Sequence, residues 1–347
     1  MKTGKKSSVK SDIMKYQNRM GKTKTCMHPD DGNCSKTIIT AHSVGKSSGL
    51  KSIAKNGHVY MFRNAHGPDK RIQTLHDLIE IKSIGINKAT TFTGFCSYHD
   101  NKLFKSIDDP ECEPSLENAV LLAYRSHARE LYAKQDIVNA VNKNNEERNI
   151  SNKFIKENYE LTKKGQTIGI IQLLKESDAF KKSILTNDYK QFDYCWLRFE
   201  AKPVLCFSGG FGPEFDYKGN LLEDYAIRTL NRDFIFINSF GSNNFINFVM
   251  VWRSDATKSR QFAESFLTID DKRKSDAIVY TAFEYLENLA FSIDWWNALR
   301  ITQKSQLIKR YVSSFSTLPR RDPCSVVLDT RSYVNWHLTK TTTSLVI

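Results

Sequence analysis

The stretches Cys26–Cys34 (CMHPDDGNC) and Gly94–Phe104 (GFCSYHDNKLF) hold cysteines and a histidine at spacings typical of metal ligands. Only two residues separate Cys96 from His99, so both side chains can reach one ion. The proline, aspartates and glycine of the first stretch favour a tight loop, although the seven residues between its cysteines exceed the usual two to four. Structural zinc sites often combine two ligands from a turn with two from a helix start. We therefore predict a structural Zn²⁺ site with four ligands, Cys26, Cys34, Cys96 and His99.

The remaining cysteines show no such pattern. The chain has seven cysteines, an odd number spread over 347 residues, which argues against a disulfide framework. Those outside the predicted zinc site are expected to pack as small apolar residues: Cys112, Cys195, Cys206 and Cys324. The N-terminus has no apolar segment behind its lysines, and no apolar run approaches the roughly 20 residues of a membrane span. We expect a cytoplasmic protein with no membrane partner.

The charge of the chain favours a polyanionic partner. The formal net charge is +13, and the first 25 residues contain eight lysines or arginines but one acid. Basic segments of this kind bind nucleic acid by neutralising phosphates, largely independently of base sequence. Residues 1–25 are therefore predicted to be a flexible basic arm, in which Lys22 and Lys24 contact nucleic acid.

Composition and periodicity divide the rest of the chain. The metal-binding segment spans residues 26–108 and ends at the acidic stretch DDPECEPS. Apolar residues at helical spacing predict a helical connector over residues 115–190, with a second helix over 153–164. β-branched and aromatic runs predict an antiparallel sheet in the region 191–347, which is also the expected contact for a protein partner or oligomer. Further helices are predicted over residues 259–267, 274–292 and 295–315. The fold class is therefore α+β.

The segment between the two ligand pairs resembles the core of HNH endonucleases. Its string IITAHSVGKSSGL (Ile38–Leu50) is an apolar strand that leads into a histidine and a polar, glycine-containing turn, as in that family. GFCSYHDNKLF resembles the family's helix, which carries zinc ligands at its start. The resemblance covers about residues 26–104 and implies a zinc-bound treble-clef module. It also implies a metal-dependent nuclease that hydrolyses phosphodiester bonds in DNA or RNA, with a role in bacterial anti-phage defence.

The resemblance assigns roles to residues of this chain. His42 takes the position of the general base, and Asp100 or Asn101 takes that of the ligand to a catalytic Mg²⁺ or Mn²⁺. The chemistry is suitable, because a histidine that titrates near neutrality can accept a proton from water and oxygen ligands suit Mg²⁺. Lys46 and Lys102 would then hold phosphates of the substrate.

Several alternatives stay open at the level of sequence. Ala41 stands where the HNH pattern has an acidic ligand, which favours a zinc module that binds nucleic acid without cleaving it, or a protein-interaction scaffold. A second zinc assignment replaces His99 by His42. His58, in NGHVY, is either a further active-site member or a strand histidine paired with a neighbouring carbonyl. The segment Tyr124–Lys134 (YRSHARELYAK) is predicted to form a solvated amphipathic helix rather than an RNase site.

Overall fold

A computed structural model describes the chain over residues 21–30, 32–64, 79–109, 111–146, 153–225, 230–242, 244–313 and 321–345. Within these residues helices combine with two antiparallel sheets, which confirms the predicted mixture of helix and antiparallel sheet. Residues 1–20 of the predicted basic arm lie outside the described residues.

The strands are numbered in chain order. Their bounds are β1 Ile38–His42, β2 His58–Asn64, β3 Ile79–Gly85, β4 Thr91–Cys96, β5 Phe192–Glu200, β6 Leu205–Phe211, β7 Ile235–Gly241, β8 Phe245–Arg253, β9 Leu289–Phe291 and β10 His337–Thr343. Eight of them form one sheet in the spatial order β10, β5, β8, β7, β6, β9, β2 and β3. The other two, β1 and β4, form a separate two-stranded sheet.

The helices are numbered in the same way. Their bounds are α1 Lys51–Ile53, α2 Ser97–Phe104, α3 Leu116–Glu146, α4 Lys153–Thr186, α5 Thr257–Leu267, α6 Asp271–Tyr285, α7 Ile293–Ala298 and α8 Ile301–Ser313. A π-helical turn, Lys46–Leu50, immediately precedes α1. Helices α3 and α4 are the predicted connector and pack against each other as a long pair.

The central strands of the large sheet are buried on both faces. On β8, Phe248 and Trp252 belong to one buried apolar cluster, whereas Val249 and Val251 belong to the cluster on the opposite face. Helices α5, α6 and α8 contribute to the first cluster, and α3 and α4 contribute to the second. Central strands covered on both faces need continuous apolar runs, which explains the run FINFVMVW in the sequence.

The two-stranded sheet and α2 form a compact unit on the N-terminal side of the chain. β1 pairs antiparallel with β4, so that Ile38 lies opposite Cys96 and His42 lies opposite Thr91. The register shifts between Ile39 and Ala41. Helix α2 begins at the residue after β4, so the unit consists of two strands and a helix that meet at Cys96.

The long insertion between β1 and β4 belongs to the large sheet. Its strand β2 pairs with β9 through Tyr60 opposite Phe291 and Met61 opposite Ala290. Phe62 packs its ring 4.2 Å from that of Tyr311 and 5.7 Å from that of Trp296, measured between centroids. The predicted segment 26–108 and the predicted region 191–347 therefore share one sheet and one apolar core.

Several helices end at other residues than the local periodicity predicts. The helix predicted over 153–164 continues to Thr186, and the one predicted over 274–292 ends at Tyr285. Residues 289–291 form β9 instead, because they pair with β2 and β6, and such long-range pairing leaves no trace in local spacing. The helix predicted over 295–315 is divided into α7 and α8, and β10 was not predicted.

Replacing Phe62 by alanine tests whether the insertion and the C-terminal region unfold together. We expect Phe62→Ala to lower the free energy of unfolding by about 3–5 kcal/mol, because a buried aromatic ring is lost from the shared core. Urea unfolding followed by tryptophan fluorescence measures the change. Ile301→Ala is the control, since Ile301 is 85% exposed and its loss should change stability by about 0.5 kcal/mol or less. A separate early transition confined to the insertion would contradict the shared core.

Candidate metal centre

The four predicted zinc ligands lie together in the fold. One ligand atom from each of Cys26, Cys34, Cys96 and His99 lies within 4.8 Å of the others. The Sγ atom of Cys26 is 3.4 Å from Nδ1 of His99. In a tetrahedral zinc site, the usual bond lengths place sulfur about 3.5 Å from nitrogen and about 3.8 Å from another sulfur. The donor set and its spacing therefore fit a metal such as Zn²⁺.

Backbone pairing brings the first cysteine to the second ligand pair. Residues preceding β1 run beside β4, because the amide of Thr25 donates to the Thr93 carbonyl at 3.2 Å and the amide of Met27 donates to Gly94 at 2.9 Å. Cys26 is consequently adjacent to Cys96, whose amide lies 3.4 Å from the Cys26 sulfur. The predicted arm thus has its last residues, 21–25, fixed against the rest of the protein.

The loop that holds Cys34 closes over the start of α2. Asp30 accepts a hydrogen bond from the amide of Gly32 at 2.8 Å, which fixes a tight turn between the two cysteines. Beyond the turn, the hydroxyls of Ser35 and Ser97 lie 3.1 Å apart, and the Ser97 amide donates to the Thr37 carbonyl at 3.1 Å. These contacts place Cys34 beside the first turn of the helix.

The pKa values of two of the cluster's thiols, those of Cys26 and Cys96, shift in opposite directions. Burial raises the pKa of the Cys26 thiol to about 11. Burial also acts to raise the pKa of Cys96, but hydrogen bonds from the amide of His99 and from Ser35 outweigh it and lower that pKa to about 6. The Cys96 sulfur caps the N-terminus of α2, where the amide of His99 donates to it at 3.4 Å. A bound cation would stabilise both thiolates, since metal binding requires deprotonated sulfur.

A second histidine supports the ligand histidine. The ring of His28 stacks on that of His99, with 3.9 Å between centroids and 7° between planes. His28 is held in place because its Nδ1 accepts a hydrogen bond from the Asp30 amide at 3.0 Å. His99 is 1% exposed, and its Nε2 has no hydrogen-bond partner among the described residues. His28 is therefore a packing neighbour of the centre, whereas His99 is the histidine of the cluster.

His42 lies at the end of β1 and outside the cluster. Its Nε2 is 2.9 Å from the carbonyl oxygen of Ile86. Because a carbonyl only accepts, Nε2 carries the hydrogen, and Nδ1 is the basic nitrogen of the neutral ring. The other strand histidine, His58, is exposed, and its Nδ1 lies 2.9 Å from the carbonyl oxygen of Asn56. His58 is therefore a strand histidine paired with a neighbouring carbonyl.

The residue after His42 is anchored to the large sheet. The hydroxyl and the amide of Ser43 both donate to the carbonyl of Thr90, at 2.8 and 3.0 Å. Asn288 donates to the hydroxyls of Ser43 and Ser208, each at 2.7 Å. These side chains are buried, so the hydrogen bonds hold the end of β1 against β6.

Asp100 faces a cluster of charges that includes His42. Burial raises the pKa of Asp100, the positive charge of Arg125 and, when it is protonated, the imidazole of His42 oppose the rise, and the negative charge of Asp108 adds to it. Its Oδ1 is buried and has no hydrogen-bond partner among the described residues. Asn101, the other predicted cation ligand, is exposed on the next position of α2.

Sequence reasoning missed the ion pair beside Asp100. Arg125 donates to both carboxylate oxygens of Asp108, at 2.8 and 3.1 Å, and its guanidinium lies 4.1 Å from the centre of the Phe104 ring. The expected solvated face over this segment is wrong, since Arg125 is 3% exposed and His127 is 2% exposed. Burial lowers the pKa of His127 to about 3. The burial of Arg125 and His127 results from the packing of α3 between the two sheets. The local sequence, which has the pattern of an amphipathic helix, does not reveal it.

The predicted phosphate-binding lysines lie on several surfaces. Lys22, Lys24 and Lys102 are exposed, and Lys46 is partly exposed in the turn after β1. Lys88 is a further candidate, since it is exposed in the turn between β3 and β4. Its carbonyl accepts a hydrogen bond from the side chain of Thr91, the strand partner of His42, at 3.0 Å. No feature of the sequence distinguished Lys88 from the other lysines of the chain.

Among the described residues, no helix combines the length and apolarity needed to cross a membrane. No protein-family model matches the chain, and neither a curated protein nor a solved structure matches it significantly.

Removing a ligand tests the metal centre. We expect Cys26→Ser and His99→Ala to reduce bound zinc from about one ion per chain to a small fraction, because each variant removes one of four ligands. Chelation of the wild type should lower its thermal midpoint, since metal binding stabilises the folded ligand arrangement. Elemental analysis and differential scanning calorimetry measure the two effects.

Cys324→Ser is the matched control for this experiment. Cys324 is an exposed cysteine outside the cluster, so its replacement should leave zinc content and midpoint unchanged. Full zinc content in both ligand variants would refute the assignment.

Proposed function

We propose that the protein is a metal-dependent nuclease of the HNH type, in which a Cys3His zinc centre builds the active-site scaffold. One observation carries the proposal. The strand that ends in His42 and the helix that carries Asp100 are both attached to the ligand cluster, and the two side chains interact electrostatically. A general base and a ligand for a cation on neighbouring elements are the minimum that phosphodiester hydrolysis requires.

Four side chains have roles in the proposed reaction: those of His42, Asp100, Lys46 and Lys88. His42 accepts a proton from the attacking water on Nδ1, because Nε2 donates to the Ile86 carbonyl and orients the ring. Asp100 would hold Mg²⁺ or Mn²⁺ through its carboxylate, whose buried Oδ1 has no hydrogen-bond partner among the described residues. When bound, the cation supplies stabilisation of negative charge on the phosphate and the leaving oxygen. Lys46 and Lys88 contact neighbouring phosphates of the substrate.

The proposal is tested by cleavage with a histidine variant. Purified wild-type protein with Mg²⁺ or Mn²⁺ should cut DNA or RNA, assayed on single-stranded and duplex substrates with labelled ends. We expect His42→Ala to lower the cleavage rate by about 10²–10⁴-fold, the usual contribution of a general base. Zinc content should not change, because His42 is not part of the cluster.

His337→Ala is the matched control for His42→Ala. His337 is exposed at the start of β10, which forms one edge of the large sheet, while the insertion strand β3 forms the other. The control should cleave at the wild-type rate. Unchanged cleavage by His42→Ala would refute the role of His42, and wild-type protein that cleaves no substrate with either cation would refute the nuclease itself.

A zinc module that binds nucleic acid without cleaving it is the second candidate. Ala41 is 3% exposed and packs in the apolar cluster, so position 41 offers no ligand to a cation. The nearby carboxylate of Asp108 is already paired with Arg125. In this candidate Lys46 and Lys88 also contact phosphates, and the protein retains nucleic acid without forming cleavage products. A defence role stays a prediction of the family resemblance alone.

The salt dependence of binding tests the phosphate contacts that both candidate functions share. We expect Lys88→Ala to weaken binding to nucleic acid and to reduce the slope of log affinity against log salt by about one, because one phosphate contact is lost. Fluorescence anisotropy over a range of NaCl concentrations, with Mg²⁺ and Mn²⁺ omitted to prevent cleavage, measures the slope. Lys82→Ala is the control, since Lys82 pairs with Glu80 at 2.7 Å on the edge strand β3. Equal slopes for wild type and Lys88→Ala would exclude Lys88 from the interface.

A further inference from the structure

The segment over residues 21–27 has alternate backbone amides paired along one edge. The last two of these amides donate to β4, as described above. The first two, those of Gly21 and Thr23, donate instead to the two carboxylate oxygens of Asp136 on α3, the second at 3.1 Å. Alternate amides of an extended chain point to the same side. The carboxylate of Asp136 therefore continues the row of acceptors that β4 begins.

Helix α3 holds Thr23 by three different groups. Besides the amide, its carbonyl accepts a hydrogen bond from the Tyr132 hydroxyl at 3.2 Å, and its hydroxyl accepts one from the Asn139 amide at 3.3 Å. Asp136 is 4% exposed, so its hydrogen bonds form away from bulk water, where bonds to a charged group are strong. The exposed lysines on either side of Thr23 consequently have a fixed backbone.

An open recess of about 300 Å³ lies where this segment meets α3. Lys22 lines it from the segment, and Asn139, Asn142 and Lys143 line it from one face of the helix. Both lysines are exposed, and neither forms an ion pair with a carboxylate among the described residues. Asp136 is the one acidic side chain among the described lining residues, and backbone amides already occupy both of its oxygens.

The donors around the recess suit a phosphate group. Two ammonium groups that line one recess repel each other, and a bound anion removes this repulsion. Lysine and asparagine side chains are common donors to the phosphates of nucleic acids. Lys24 is exposed two positions after Lys22, on the same side of an extended chain, where it can contact the next phosphate. The net charge of +13 favours such a polyanion over a single small anion.

The recess is joined to the strand that pairs with β1. The hydroxyl of Thr93 on β4 donates to the carbonyl of Thr23 at 2.5 Å. Thr93 is two residues, or about 7 Å of strand, from Thr91, the strand partner of His42. One nucleic-acid molecule can therefore contact both the recess and the candidate active site.

We propose that this recess binds one phosphate of a nucleic-acid backbone through Lys22 and Lys143, and that Asp136 is the positioning residue that fixes Lys22. The proposal rests on the proposed function, because its partner is nucleic acid. It adds Lys143 to the contacts and makes residues 21–25 an ordered part of the interface.

The salt dependence of Lys143→Ala tests the recess. We expect this variant to reduce the slope of log affinity against log salt by about one, because one phosphate contact is lost. Fluorescence anisotropy measures the slope with labelled DNA and RNA oligonucleotides, single-stranded and duplex, with Mg²⁺ and Mn²⁺ omitted. Lys272→Ala is the control and should match the wild type. Lys272 is exposed on α6, which packs on the opposite face of the large sheet from α3.

The outcomes separate this site from the proposed function. Wild-type protein that binds nucleic acid together with an unchanged slope for Lys143→Ala would overturn the recess alone. Wild-type protein that binds none of the oligonucleotides would refute nucleic-acid binding, and the recess with it.

Asp136→Asn separates positioning from charge. Asparagine offers one acceptor oxygen, so one of the two amide hydrogen bonds is lost. On charge alone, removing a negative charge beside the recess would strengthen binding to nucleic acid. Because Lys22 loses its fixed position, we expect weaker binding instead. Tighter binding would overturn the positioning role.

Trypsin cleavage tests the same anchor without nucleic acid. In Asp136→Asn, cleavage after Lys22 and Lys24 should be about tenfold faster, since the loss of a hydrogen bond to a charged group raises the population of the open segment by about this factor. Mass spectrometry detects the new N-termini. Asp178→Asn, at an exposed position of α4, is the control and should cleave at the wild-type rate. An unchanged rate for Asp136→Asn would overturn the anchor.

Discussion

The antiparallel pairing of β1 with β4 is the constraint on which the candidate site depends. It places Ile38 opposite Cys96 and His42 opposite Thr91, although 48 residues lie between these strands. Since α2 follows β4 without a connecting loop, the same pairing sets the position of His99 and Asp100 relative to β1. A change in this register would break up the cysteine cluster and would also move His42 away from Asp100. A slip of one residue turns each side chain of the strand to the other face of the sheet.

The small sheet is stable in this position because the large sheet and α3 support it. The insertion strands β2 and β3 extend the large sheet, and Asn288 links Ser43 to β6 through buried hydrogen bonds. On the other side, Tyr132 on α3 packs its ring 5.6 Å from that of Phe92 on β4. The Cys3His cluster is thus part of the main body of the fold. A functional site joined to rigid elements in this way keeps its geometry better than one built on loops alone.

Four histidines near the site illustrate how surroundings decide the role of one residue type. His99 lies within reach of three sulfurs, and His28 stacks on its ring. His42 lies outside the cluster, and its ring is oriented by the carbonyl of Ile86. His127 is fully enclosed, with its Nε2 2.9 Å from the Ser177 hydroxyl, and burial keeps it neutral. In the sequence, only His99 stands out by a local pattern, because two residues separate it from Cys96 as in many zinc sites.

The sequence by itself determined the residues of the metal cluster, because ligand type and close spacing are local properties and zinc accepts few donor sets. It also determined the central strands, since continuous apolar runs mark strands buried on both faces. Only the tertiary structure decided that the buried guanidinium of Arg125 pairs with the partly exposed carboxylate of Asp108 beside Asp100, and that residues 58–64 and 79–85 belong to the large sheet. Contacts of this kind join residues far apart in the chain, and their energy comes from burial and pairing that no local pattern records.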